Sequence, residues 1–281
     1  MLEKHTLTLE SIIDHHSLLR TAARIGSLGS AVDTGCRSVH VDAQGVDGVN
    51  PVFVAVINCI ADFLRSRNVA VVGFTAPKSL VGREQVFEAG LYVWPMHVKQ
   101  VLPQSSDESP QLKAHFGGAN PEVITRFVET FARFFQGVPN LIENLESTLA
   151  ELMDNVSAHS GSNEGGWIAA KYDGEERVLR FSICDLGVSI PVHLRNSDDA
   201  YRAMNDVELL DAAFIEGVSG DKKTHFGSGL PYVRDATVRV NGALQVYSGH
   251  AIHADLSPRG ESVSVNTRFP GTLIMAGWPS L

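Results

Sequence analysis

Between Ser38 and Phe74 the chain runs strand, helix, strand, an order that few folds accommodate. Residues 38–43 (Ser-Val-His-Val-Asp-Ala) alternate apolar and polar, as a strand with one buried face does. A polar turn containing Gly45 and Gly48 follows, and Pro51 suits the first turn of a helix. The stretch from Val52 to Arg65 is apolar at helical spacing, Asn68 breaks it, and Val69–Phe74 reads as a buried strand. Two strands separated by a helix cannot close as a hairpin. The spacing therefore predicts a parallel βαβ unit.

The second half has a different cadence. Residues 103–120 carry Pro-Gln-Ser-Ser-Asp-Glu-Ser-Pro and then Phe-Gly-Gly-Ala-Asn, the composition of a linker. Asn120-Pro121 is a cap-and-first-turn pair that starts a helix, in which Phe127, Phe131, Phe134 and Phe135 recur as core positions. Gly137 and Pro139 end it, and a second helix runs from about Leu141 to His159. Trp167–Tyr172 and Val178–Cys184 read as strands paired across Asp173-Gly174. Helices over 207–214 and 230–240 and strands over 243–248 and 272–276 complete the pattern. The expected organisation is a smaller α/β unit over 1–105, a linker over 106–120 and a larger unit over 121–281.

Composition narrows the function. With 44% hydrophobic and 20% charged residues, 281 residues can build one large core or two ordinary ones. A formal charge of −9 argues against a nucleic acid or an anionic membrane as partner. No apolar run approaches the roughly 20 residues that span a bilayer, and the start of the sequence lacks a signal-peptide pattern. Cys36, Cys59 and Cys184 are scattered without metal-ligand spacing, which suits reduced buried thiols in a cytoplasmic protein.

Three segments carry chemistry. In Glu151-Leu-Met-Asp-Asn155 a carboxylate and a carboxamide lie one helical turn apart and face the same way. Alone, the pair also describes the exposed side of an amphipathic helix. Asp185-Leu-Gly-Val-Ser-Ile-Pro191 ends an apolar strand in an acid and a glycine turn, and a buried carboxylate there needs hydrogen-bond donors. Gly227-Ser-Gly-Leu230 opens a helix, where backbone N–H groups and the helix dipole favour phosphate.

The three segments, in this order, resemble the ATPase family shared by DNA gyrase, the Hsp90 chaperone, histidine kinases and MutL (GHKL). The resemblance covers roughly residues 120–281 and includes the closing Pro270-Gly-Thr-Leu-Ile-Met275. It implies an α/β (α+β) two-layer sandwich, a mixed, mainly antiparallel sheet with helices on one face, that binds ATP with Mg²⁺. By the resemblance Asn155 ligates magnesium, Glu151 is the general base, and Asp185 reads the adenine amino group with Gly187 making room for the base. Gly227, Ser228, Gly229 and Leu230 would cradle phosphates, Lys222, Lys223 or Thr224 would reach the γ-phosphate from a lid, and Thr272 lies on the matching final strand. The family's Asp-x-Gly-x-Gly has Ser189 at its second glycine here, which places the geometry of that turn in question.

The first unit is similar to the STAS fold of anti-anti-sigma factors, in which a serine at a helix start accepts phosphate from a kinase of this same ATPase family. Asn50-Pro51-Val52 stands at that place, so the resemblance implies docking or regulation rather than phosphate acceptance. His16-Ser-Leu-Leu-Arg-Thr21 imitates a histidine-kinase box without its proline and far from Glu151. Expectation therefore falls on an Mg-ATP-dependent regulator most like an anti-sigma serine kinase, acting on an unidentified regulatory protein, with a homodimer left open. A slow ATPase whose nucleotide state drives dimerisation or domain closure, and a non-catalytic ATP-binding interaction module, are the alternatives.

Overall fold

The computed structural model describes residues 4–12, 14–88, 110–135, 140–162, 164–215, 217–218, 229–255 and 260–280. In the first unit, β1 (Lys4–Glu10), α1 (His15–Asp33), β2 (Ser38–Gly45), α2 (Pro51–Ser66), β3 (Ala70–Thr75) and α3 (Leu80–Glu88) follow one another. The three strands form a parallel sheet in the order β1-β2-β3, so the expected βαβ unit is present with one further strand and crossover helix before it. Each crossover helix begins on a side-chain cap. Asp14 and Ser17 make a reciprocal capping box on α1, and Asn50 accepts from Phe53 N–H ahead of Pro51 on α2. His16 is an exposed residue of the first turn of α1.

The second unit comprises β4 (Gln111–Phe116), α4 (Pro121–Phe131), α5 (Leu141–His159), β5 (Gly166–Asp173), β6 (Val178–Asp185), α6 (Ile190–Ser197), α7 (Asp206–Ala212), α8 (Gly229–Arg239), β7 (Ala243–Ala254) and β8 (Glu261–Pro279). Its sheet has the order β4-β5-β6-β8-β7. The α/β (α+β) class holds, and every pairing within this sheet is antiparallel. Gly174 to Arg177 make a four-residue turn between β5 and β6, longer than the two-residue Asp-Gly hairpin expected. Asp173 accepts from the N–H groups of Glu175 and Glu176, and Arg177 takes the left-handed φ of 56°.

Strand β4 falls inside the stretch expected to be a linker, so the second sheet begins at Gln111. Its polar content is that of an amphipathic strand. Leu112, Ala114 and Phe116 alternate into the core, while His115, between them, stacks edge-on against Trp167 with centroids 5.5 Å apart. Residues 106–109 lie outside the described segments.

Alternation along the central strands sends side chains to two cores. Ile168, Ala170, Phe181, Ile183, Ile274 and Trp278 meet α4, α5 and α8, where Phe127, Phe131 and Phe135 are buried and Phe134 stacks on Tyr172. Trp167, Ala169, Cys184, Phe269 and Leu273 point the other way, into one continuous core with α1, α2 and strands β1 and β2. The second sheet is thus covered on both faces, and the outer cover comes from the first unit. Helix α1 packs on β8 and α2 on β5 and β6. A helix so placed must be apolar almost all round, and 12 of the 16 residues of α2 are buried. Sheet, helices, sheet, helices is the resulting order of layers.

All three cysteines are free and buried. Among the described residues no helix is long and apolar enough to cross a membrane.

Candidate functional site

Helix α5 turns Leu145, Leu149, Leu152, Met153 and Val156 into the core, which leaves Glu151 and Asn155 half-buried on its other side. The first residue of α8 abuts them. A Cβ placed on Gly229 would lie 2.9 Å from Glu151 Oε2, 2.9 Å from Asn155 Nδ2 and 3.2 Å from Asn155 Oδ1. Two hard oxygen donors therefore meet the N-terminus of an 11-residue helix, a suitable junction for a cation and an anion held together. Leu230, next along α8, packs half-buried against the core. Among the described residues no group of three or more His, Cys, Asp or Glu could hold a metal by itself.

Asp154, between the two, caps the 117–120 loop by accepting from Ala119 N–H at 3.0 Å. His159 ends the helix with its ring 4.7 Å from that of His193 in α6.

Asp185 closes β6 with 2% of its surface exposed. Its Oδ1 accepts from Gly187 N–H at 2.8 Å, and the Thr272 N–H also donates to the carboxylate. Burial raises the carboxyl from the ordinary value of 3.8 to about 7, against the opposing pull of those two hydrogen bonds. Thr272 is its cross-strand partner on β8, and Ser248 on β7 is in turn the partner of Thr272. The fully buried Ser248 hydroxyl lies 3.0 Å from Thr272 Oγ1, donates to Gly271 C=O at 2.9 Å and accepts from Ile190 N–H at 2.9 Å. Ser248 ties the turn after β6 to this row, and its sequence neighbourhood, the end of an alternating run, holds no signal of that task.

Two glycines permit close approaches here. A Cβ on Gly271 would sit 2.2 Å from Asp185 O, and one on Gly187 would sit 2.1 Å from Ser160 O. Gly187 thus makes room for the end of α5. Both contacts are to backbone, which cannot swing aside. Gly187→Ala is expected to cost about 2 kcal/mol or more of stability, seen as a lower denaturation midpoint with unchanged slope. Ser189, by contrast, has φ −67° and ψ 152°, open to any residue, so a glycine is not required by the backbone there. Its side chain is completely buried, with an Oγ that has no hydrogen bond among the described residues.

The carboxylate of Asp185 and the Glu151/Asn155 pair share one end of the sheet. A Cβ on Gly166 would lie 2.9 Å from Cys184 O and 3.2 Å from Val156 Cγ1, which brings the neighbours of Asp185 and Asn155 to a single point. Lys222, Lys223, Thr224, Gly227 and Ser228 lie outside the described residues. No protein-family model matches the chain, and no curated protein matches it significantly.

Proposed function

We propose that residues 110–280 form a GHKL-type site for Mg-ATP and that the protein is a nucleotide-dependent regulator, most like a serine kinase acting as an anti-sigma switch. The observation that carries this reading is Asp185. A carboxylate buried to 2% exposure with only backbone donors is costly, and cost retained at a sheet end beside a helix N-terminus marks a place for a ligand. An exocyclic amino group of a base is a donor suited to it.

Asn155 Oδ1, with Glu151 beside it, is a fitting hard-oxygen donor for Mg²⁺, which keeps most of its other positions for water and phosphate oxygens. Magnesium would supply charge neutralisation at the triphosphate. Gly229 brings the start of α8 to the same point, so its N–H groups can receive phosphate oxygens. Glu151 is then placed to orient and deprotonate an acceptor hydroxyl or a water.

Residues 4–88 regulate on this reading. Asn50, where a STAS-like phosphate acceptor would stand, is occupied as a cap: its Oδ1 accepts from Phe53 N–H and its Nδ2 donates to Ile12 O at 2.5 Å. The phosphate acceptor is accordingly a separate regulatory protein, and a cytoplasmic location belongs to the same proposal. A slow ATPase working by closure of one unit on the other has less support, because α1 and α2 already join both sheets in one core.

Calorimetric titration with Mg-ATP against Mg-GTP tests the reading, with ATP expected to bind more tightly; binding of neither nucleotide would sink it. Transfer of labelled γ-phosphate to a co-purified protein, rather than its release, separates kinase from ATPase. Gly229→Ala provides a local check. Its methyl group would push the ends of two flexible side chains, so the melting temperature should hold within about 2 °C. Mg²⁺-dependent tightening of nucleotide binding should fall about tenfold or more.

A further inference from the structure

Helix α2 grips the second sheet at two points one turn apart. Cys59 Sγ donates to the carbonyl of Cys184 at 3.0 Å, and Asp62 Oδ2 accepts from Trp167 Nε1 at 2.6 Å. Trp167 and Cys184 are direct cross-strand partners of β5 and β6, so both bonds land on one rung of the sheet. The carbonyl that Cys59 holds belongs to the peptide bond leading into Asp185.

These bonds are buried and supported. Asp62 is 5% exposed and Trp167 2%, Arg65 donates to Asp62 Oδ1 at 2.8 Å, and His115 Nε2 lies 3.8 Å from Oδ2. Around them the seam is open. A cleft of about 570 Å³ lies between α2 and the turn after β6, lined among others by Asp62, Phe63, Ser160, Glu164, Gly187 and Val188. The cleft opens beside the Leu186–Val188 turn, in which Val188 is exposed while Leu186 packs half-buried against the core shared with α1 and α2. The end of β6 is located by its pairing with Thr272 on β8, by the tie from Ile190 N–H to Ser248, by the contact of the turn with Ser160 and, on the face toward the first unit, by the rung that α2 holds.

We infer that Asp62 and Cys59 are positioning residues for base recognition: through Trp167 and Cys184 they fix the pose of Asp185, so that residues 4–88 set the nucleotide preference of a site built by residues 110–280. The inference rests on the proposed Mg-ATP site. Groups that read the base depend on the grip, whereas those at Glu151, Asn155 and Gly229 belong to α5 and α8 and do not touch α2 in this way. A loosened grip misplaces Asp185 by a fraction of an ångström while the phosphate end keeps its geometry.

The experiment compares Mg-ATP, Mg-GTP and magnesium tripolyphosphate as calorimetric ligands of the full chain and of Asp62→Ala, Asp62→Asn and Cys59→Ala. Asp62→Ala is expected to weaken Mg-ATP about tenfold and to narrow the ATP/GTP ratio by as much, with tripolyphosphate within about twofold. Asp62→Asn keeps an oxygen for the Trp167 N–H and should recover most of the ratio. Cys59→Ala removes only the thiol and should move the ratio in the same direction, which keeps the test alive if Asp62→Ala does not fold. Equal weakening of ATP and tripolyphosphate, or no change in any ratio, overturns the inference and leaves the site standing. A parent chain that binds no Mg-ATP overturns the site, and the inference with it.

Discussion

Asp185→Asn is expected to weaken Mg-ATP binding about a hundredfold, close to 3 kcal/mol, and at the same time to make the protein more stable above about pH 7. The carboxylate takes hydrogen bonds from Gly187 N–H and Thr272 N–H, and the base amino group would be a further donor. A carboxylate accepts all of them, but an asparagine must turn its NH₂ toward at least one. Its expected gain in stability has a separate cause. Burial disfavours the charged form and pushes the folded carboxyl up from its ordinary 3.8 to about 7.

The sign follows from linkage. A carboxyl raised in the folded state contributes stability that is fully present below about pH 4, where both states are protonated, and is lost as pH rises through about 7. The loss across that window is on the order of 4 kcal/mol, and the asparagine variant should not show it. Urea unfolding of parent and variant at a series of pH values measures the difference. On the proposed reading the adenine amino group donates to the ionised carboxylate, so the affinity of the parent for Mg-ATP should tighten between about pH 6 and pH 8 and stay flat in the variant. An equal pH slope in both would remove Asp185 from the base-reading role.

Glu151→Gln should leave Mg-ATP affinity within about threefold and lower phosphate transfer or release by about 10² to 10⁴. The amide matches the carboxylate in size, so the packing of Gly229 against this side chain and Asn155 is kept. It cannot take a proton, and only the chemical step should suffer. Single-turnover transfer measured beside calorimetric affinity separates the two quantities. Unchanged turnover would move the base elsewhere, and a parent with no turnover at all would favour a module that binds nucleotide to fix its shape.

Local signals explain which elements could be read from the chain. Helix α2 announced itself through Pro51 and an apolar run, and β5 and β6 through alternation around a polar turn, because propensity and burial agree at those places. Strand β4 was hidden because Gln111, Lys113 and His115 are polar, and a strand with one polar face, whose His115 reaches Asp62 of α2, looks like a linker. The strands β7 and β8 run well past the expected 248 and start well before the expected 272. The register shift at Gly249 interrupts the alternation that would have revealed their extent. At the candidate site, Glu151, Asn155, Asp185 and Thr272 could be singled out through the family that their segments resemble. Ser248, Asp62 and Cys59 could not, since their part depends on contacts across sheet rows and between units, which no local window of sequence records.

Strand β8 comes after every other strand in the chain, yet it lies between β6 and β7 and carries the surface on which α1 packs. A ribosome therefore delivers the first unit long before the strand that completes the sheet opposite it. Until then the side of α1 that packs on β8 has nothing to cover it, and the outer side of α2 stays uncovered until β5 and β6 are made. Late, long-range pairing of this kind favours slow folding, and uncovered apolar helices favour association with other chains. The apolar girth of α2 is thus exposed for as long as β5 and β6 are still to come.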